Sequence, residues 1–287
     1  MEQRVENLKK EIQQILKKRP GYAETLNFYL RVREAQEETK KTARVDPVKL
    51  GKHWKKLLKK EGFSLLQRED FPIDIKASAA LFHSLCKIGK EATPLMAAEV
   101  GKIEEILDHQ RMDLKKLIRE GGKEEKVERV AGETGLDKRI LSFFIHQSRK
   151  PCIEAALEHL RHELDPESWL KGYCPVCGSL PDLSLLKEET GRRYLLCSYC
   201  GYQWRFERLL CPFCNNKGPD SLHYFCGEEE ETIRIDLCES CRKYIKTIDL
   251  RVREDIDPAL EDLATLHLDI VASQEGYKRP VPNLWLP

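Results

Sequence analysis

The 287-residue chain has no apolar run close to the ~18 residues needed to cross a bilayer, so no membrane insertion is expected. Its first residues, MEQRVENLKKEIQQ, contain no apolar core region, which argues against a signal peptide and makes the cytoplasm the expected location. There is no glycine-rich phosphate loop, no Ser/His/Asp order and no convincing carboxylate pair, so no catalytic residue is assigned and no enzymatic activity is expected. Strand-like alternation is scarce before residue 165, and so is cysteine: of 11, only Cys86 and Cys152 precede residue 173.

What is present is charge and helical periodicity. Charged residues make up 34% and hydrophobic ones 41%, the composition of a globular protein with room for two cores. Residues 1–173 carry 35 Lys+Arg against 29 Asp+Glu, a net +6. Residues 174–250 carry 10 against 12, and residues 251–287 carry 4 against 7, so the cysteine-rich part is acidic.

Residues 1–164 read as an all-α domain. Val5, Leu8, Ile12, Ile15 and Leu16 repeat at helical spacing, and Pro20-Gly21 ends the run. Further helices are predicted around 22–40, 47–60, 75–90, 94–119, 123–133, 137–149 and 151–163. Thr93-Pro94 reads as an N-cap with a first-turn proline, and Gly121-Gly122 as a break. Residues 165–173 form a linker. Beyond it lie short β patterns such as YQWRF at 202–206 and TIRIDLC at 232–238. Residues 251–287 return to helix, with Asp257 as cap, Pro258 in the first turn, an apolar stripe at Leu260, Leu263, Leu266, Ile270 and Val271, and Gly276 as stop; the tail KRPVPNLWLP is expected to be extended.

Eight of the late cysteines form four CxxC pairs: Cys174-Cys177, Cys197-Cys200, Cys211-Cys214 and Cys238-Cys241. The gaps between pairs are 19, 10 and 23 residues. The two longer gaps leave room for a hairpin out and back, and a tetrahedral thiolate site takes two such knuckles. The halves also repeat: each runs CPxC, turn, strand, loop, strand, CxxC, with the extra length of the second assigned to GEEEE at 227–231. Two tandem zinc-ribbon or rubredoxin-like four-cysteine modules are therefore expected, over residues 174–208 and 209–250, holding two metal ions per chain. Four thiolates accept either zinc or iron. A thioredoxin-type redox pair would need a βαβ context, and disulfides an oxidising compartment. After each second cysteine, Gly178 and Gly201 take a left-handed conformation freely and Asn215 tolerates it. Arg242 does so under strain, so the fourth knuckle is expected to be the least regular.

Other candidates have plainer readings. Cys226 suits a half-buried strand, Cys86 a core helix face and Cys152 a packed helix start. His159 and His162 share a solvated helix face. Asp262, Thr265 and Asp269 form a polar row opposite the leucines, as an ordinary wet face would.

DPESWLKGYCPVCGS, RRYLLCSYCGYQWRFERLLCPFC and EDLATLHLDIVASQEGYKRP together resemble the formate dehydrogenase accessory proteins of the FdhE type, over roughly residues 140–280. The resemblance implies a cytoplasmic maturation factor that binds the catalytic subunit of formate dehydrogenase, with the eight paired cysteines as metal ligands held in a rubredoxin-like manner. It also draws Asp262, Thr265, Asp269, Tyr277 and Arg279 into a signature with a surface or structural role, a candidate partner-binding set. Two rivals remain. A nucleic-acid-binding zinc ribbon conflicts with the acidic cysteine-rich segment, since two divalent ions with eight thiolates add a further −4. A rubredoxin-like electron carrier would need iron and has little use for a large helical domain.

Overall fold

The computed structural model describes residues 2–283 apart from Glu228 and Glu229, together with Trp285; the side chains of Glu2, Lys55 and Lys59 also lie outside the description. Part of the predicted GEEEE insertion and most of the last four residues of the tail thus fall outside the described residues. The chain divides into two compact units: Met1–Lys49, Leu66–Arg161 and Leu284–Pro287 form one, and Leu50–Leu65 with His162–Asn283 the other. No described helix is long and apolar enough to cross a membrane.

The first unit is helical: α1 Glu2–Lys18, α2 Ala23–Thr42, α4 Ile75–Lys90, α5 Pro94–Asp108, α6 Leu114–Glu120, α7 Glu124–Thr134 and α8 Lys138–Leu160. The short α3, Trp54–Lys56, belongs to the other unit and continues as a π-helical turn, Leu57–Glu61, closed by Gly62 at φ 75°. Asp74, Thr93, Asp113 and Asp137 cap their helices by accepting from backbone N–H groups, and Pro94 follows its cap as predicted. Phe82, Val100, Ile103, Ile118, Leu141 and Phe144 anchor the core, and Trp285 packs edge-on against Tyr29 and Phe143.

Three helix boundaries differ from the sequence reading. The run 94–119 is two helices, because Gln110 turns left-handed at φ 55° and Asp113 caps a new helix at Lys116 N. The helix predicted over 47–60 is confined to Trp54–Glu61. The pair 137–149 and 151–163 is one helix running through Pro151. A proline there frees the carbonyl four residues earlier. That carbonyl, Gln147 O, accepts from Gln36 Nε2 at 2.9 Å, so the buried polar group is satisfied by a neighbouring helix.

The second unit holds a six-stranded sheet in the order β3-β2-β1-β6-β5-β4, with β1 Pro181–Lys187, β2 Arg192–Cys197, β3 Gln203–Phe206, β4 Leu222–Phe225, β5 Ile233–Cys238 and β6 Lys243–Asp249. Each predicted module is a three-stranded antiparallel ribbon with a knuckle before its first strand and another between its second and third. The two ribbons join through a parallel β1–β6 pairing, with Leu183 opposite Lys246 and Leu185 opposite Ile248. They therefore share one sheet. Its apolar side chains, Leu183, Leu185, Ile233, Ile235 and Ile248, pack with Leu268, Ala272 and Tyr277. The C-terminal helix is interrupted at Thr265, giving α9 Pro258–Ala264 and α10 Leu266–Gln274.

Candidate metal centres

The knuckles follow from backbone chemistry. In each, the N–H after the second cysteine donates to the carbonyl of the first: Gly178 to Cys174 at 2.9 Å, Gly201 to Cys197 at 3.1 Å, Asn215 to Cys211 at 3.0 Å and Arg242 to Cys238 at 2.9 Å. All four donors are left-handed, with φ of 71°, 76°, 59° and 53° in that order. The fourth knuckle is thus as regular as the others, contrary to expectation. Arg242 is held there by its side chain, which donates to Glu239 Oε2 and Glu275 O at 2.6 Å and lies 4.0 Å over the Tyr277 ring.

The turns bring together two groups of four sulfurs, Cys174, Cys177, Cys197 and Cys200 in one, and Cys211, Cys214, Cys238 and Cys241 in the other. The pairing is first with second and third with fourth, as the gap lengths suggested. Sulfur separations are 3.5 Å for Cys177–Cys197, 3.6 Å for Cys174–Cys200, 3.8 Å for Cys211–Cys241 and 3.6 Å for Cys214–Cys238. Four ligands placed tetrahedrally about 2.3 Å from a metal stand about 3.8 Å apart, so each group can hold one ion of zinc or iron size. No disulfide joins the described cysteines. Backbone N–H groups point at sulfur from Val176 to Cys174 and from Tyr199 to Cys197, each at 3.4 Å. Such donors stabilise thiolates.

Burial separates the two groups. All four cysteines of the first are buried, and burial pushes the Cys174 and Cys200 thiols well above their ordinary range. Contacts from the other three sulfurs pull Cys177 well below it. A cation is what lets four such groups ionise together. In the second group Cys214 is exposed and Cys241 half-buried.

Cys86 and Cys152 are buried in the helical unit, and burial pushes the Cys86 thiol up to about 12. Cys226 is exposed and lies just past β4, outside any strand. His159 and His162 are exposed and join no metal-ligating group among the described residues.

The C-terminal signature points inward. Asp262, Thr265 and Tyr277 are buried, so the polar row is not a wet face. It converges on Lys246, a fully buried strand residue that sequence reasoning missed. Lys246 Nζ lies 3.0 Å from Asp262 Oδ1 and 2.6 Å from Asp269 Oδ2, and donates to Asp262 O and Thr265 O at 2.9 and 3.0 Å. The ammonium takes up carbonyls freed by the helix break at Thr265. Arg279 closes the cluster with a forked pair to Asp262 at 3.0 and 2.9 Å. Burial would raise the Asp262 carboxyl, but Arg279 and Lys246 hold it below the usual range. Tyr277 stands apart and donates to Glu239 beside the fourth knuckle.

Two family models match almost entirely within this same unit. Residues 173–208 match the family model described as FdhE, central domain, and residues 209–286 match FdhE, C-terminal domain. A protein FdhE homolog of Aquifex aeolicus (strain VF5) is 38% identical over 148 residues, which is 50% of this chain and 52% of that protein. Protein FdhE of Escherichia coli O127:H6 is 37% identical over 117 residues, 40% of this chain and 37% of the relative. The matches thus span about half or less of the curated relatives. The crystal structure of the FdhE protein from Pseudomonas aeruginosa superposes with a TM-score of 0.70 at 23% identity, covering 99% of this chain and 94% of that one, and so shares the fold.

Proposed function

We propose, from the premise that this chain belongs to the FdhE family, that it is a cytoplasmic accessory protein that binds the catalytic subunit of a formate dehydrogenase and supports its maturation without catalysing a reaction itself. The observation that carries this reading is the pair of four-cysteine groups built into one sheet, inside the stretch that both FdhE domains cover. In this reading the eight paired cysteines each give one ligand, two zinc or iron ions are bound per chain, and the ions act as folding elements for ribbons too small to be stable alone. Residues 1–164, apart from the segment 50–65 that belongs to the sheet unit, act as a helical domain, and 165–173 as the linker that enters the sheet unit. Asp262, Thr265, Asp269 and Arg279, with Tyr277, support the partner-binding surface by fixing the last helices on the sheet.

An affinity-tagged chain purified from its own host should bring down a formate dehydrogenase catalytic subunit, identified by mass spectrometry. Its absence from the eluate, with metal still bound, would remove the reading. A second reading, electron transfer at the second centre, is favoured by the exposure of Cys214. It requires iron there, and a colourless, zinc-loaded protein ends it.

A further inference from the structure

We propose that an open cleft beside the second cysteine group receives a carboxylate side chain from an extended acidic segment of the partner protein, which adds to the free edge of β4. This deepens the accessory-protein reading and rests on it. The cleft, with a volume of about 80 Å³, includes Arg193, Arg208, Tyr224, Arg234, Asp236 and Lys243 in its lining. Asp236 is already engaged, accepting from Arg234 Nε at 2.8 Å and Thr247 Oγ1 at 2.6 Å. Arg193, 4% exposed, spends Nε on Ser184 and Nη1 on the Leu210 carbonyl, while its Nη2 makes no hydrogen bond among the described residues and lies 3.6 Å from Asp236. Among the described residues, Arg208 and Lys243 have no carboxylate partner.

Charge fixes the class of ligand. Four cations face one carboxylate, leaving +3, and the neighbouring group of four thiolates would carry −2 with a divalent ion bound. The remaining +1 matches a monoanion such as a carboxylate; a phosphate dianion would be repelled by Asp236 and the thiolates. The shape of the surroundings points to a polypeptide. β4 ends the sheet and pairs with β5 alone among the described strands. Its sequence, LHYF, has none of the lysine or proline that usually guards an edge. Tyr224, 64% exposed, and Leu209, 74% exposed, offer apolar contacts at the cleft mouth. An added strand would gain main-chain hydrogen bonds from the edge and specificity from the cleft.

The test uses the metal-loaded full chain, titrated with a fluorescent peptide alternating valine and glutamate, its glutamine counterpart, and inorganic phosphate as competitor. The glutamate peptide should bind about tenfold more tightly than the glutamine one. Arg234→Gln and the surface change Arg208→Gln should each weaken it severalfold, with metal content and circular dichroism unchanged. Equal binding of the two peptides, no effect of either substitution, or displacement of the peptide by stoichiometric phosphate overturns the proposal. A parallel titration with purified formate dehydrogenase catalytic subunit separates the two readings. Wild-type binding that both variants retain in full overturns the docking site and leaves the function standing. Peptide binding without subunit binding overturns the function and leaves the docking site.

Discussion

Lys246 Nζ lies 2.6 Å from Asp269 Oδ2, and the lysine side chain has no exposure at all. Charge this deep is tolerated because Asp262, Asp269 and the carbonyls at the helix break surround it. Removing one partner of such a cluster strands the others, at a cost of about 3–5 kcal/mol. Lys246→Met should therefore destabilise the sheet unit by about 3 kcal/mol in urea denaturation. A loss within the error of wild type would mean the cluster does not hold α9 and α10 to the sheet.

The same cluster sets an acid limit. The Asp262 carboxyl is depressed in the folded state, so its contribution is present above the unfolded value of about 4 and is lost as pH falls through the folded one. In the helical unit Glu154 behaves alike: burial opposes ionisation, but Arg33, Lys150 and Lys40 hold it down to about 2. Stability should fall with pH below about 4, and Asp262→Asn should flatten the slope. Because acid also releases metal from thiolates, the two proteins must be compared at equal metal content.

Gly172 carries no left-handed strain, yet it is fixed by contact. A Cβ there would sit 1.9 Å from the Pro212 carbonyl oxygen and 2.9 Å from its carbon. Both are backbone atoms that cannot rotate away. Gly172→Ala should cost about 2 kcal/mol or more and loosen the entry to the second ribbon, seen as faster proteolysis near residue 212.

Unequal burial of the two cysteine groups predicts unequal metal release. With excess chelator the ion of the second group, where Cys214 is exposed, should leave first, and the buried first group should follow slowly. Cys214→Ser should abolish the fast phase. A single phase shared by both ions would contradict this.

The cysteine geometry was legible because thiolate ligation needs a fixed spacing, and that spacing is local. The pairing of knuckles followed from the gap lengths and from the repeat of CPxC, strands and CxxC in the two halves. The joining of the ribbons was not legible: β1 and β6 lie far apart in sequence, and a parallel pairing leaves no local mark. Lys246 was missed for a related reason: in KYIKTID it shares a face with Tyr244 and Ile248, and the partners that let a lysine sit there, Asp262 and Asp269, come from α9 and α10. Pro151 misled because Gln36, which satisfies the carbonyl the proline frees, comes from α2. Arg242 shows the converse: a poor residue for a left-handed turn is accepted because Tyr277 and Glu239 hold its side chain.

The central claim is that two metal ions hold the sheet unit together, and metal content read alongside proteolysis tests it most directly. Plasma mass spectrometry should find about two zinc or iron ions per chain in the wild type and fewer than one in the Cys174→Ser, Cys211→Ser double variant. Limited proteolysis of that variant should digest residues 174–250 while the helices of residues 66–161 persist. A wild type without metal, or a double variant as resistant as the wild type, would contradict the account.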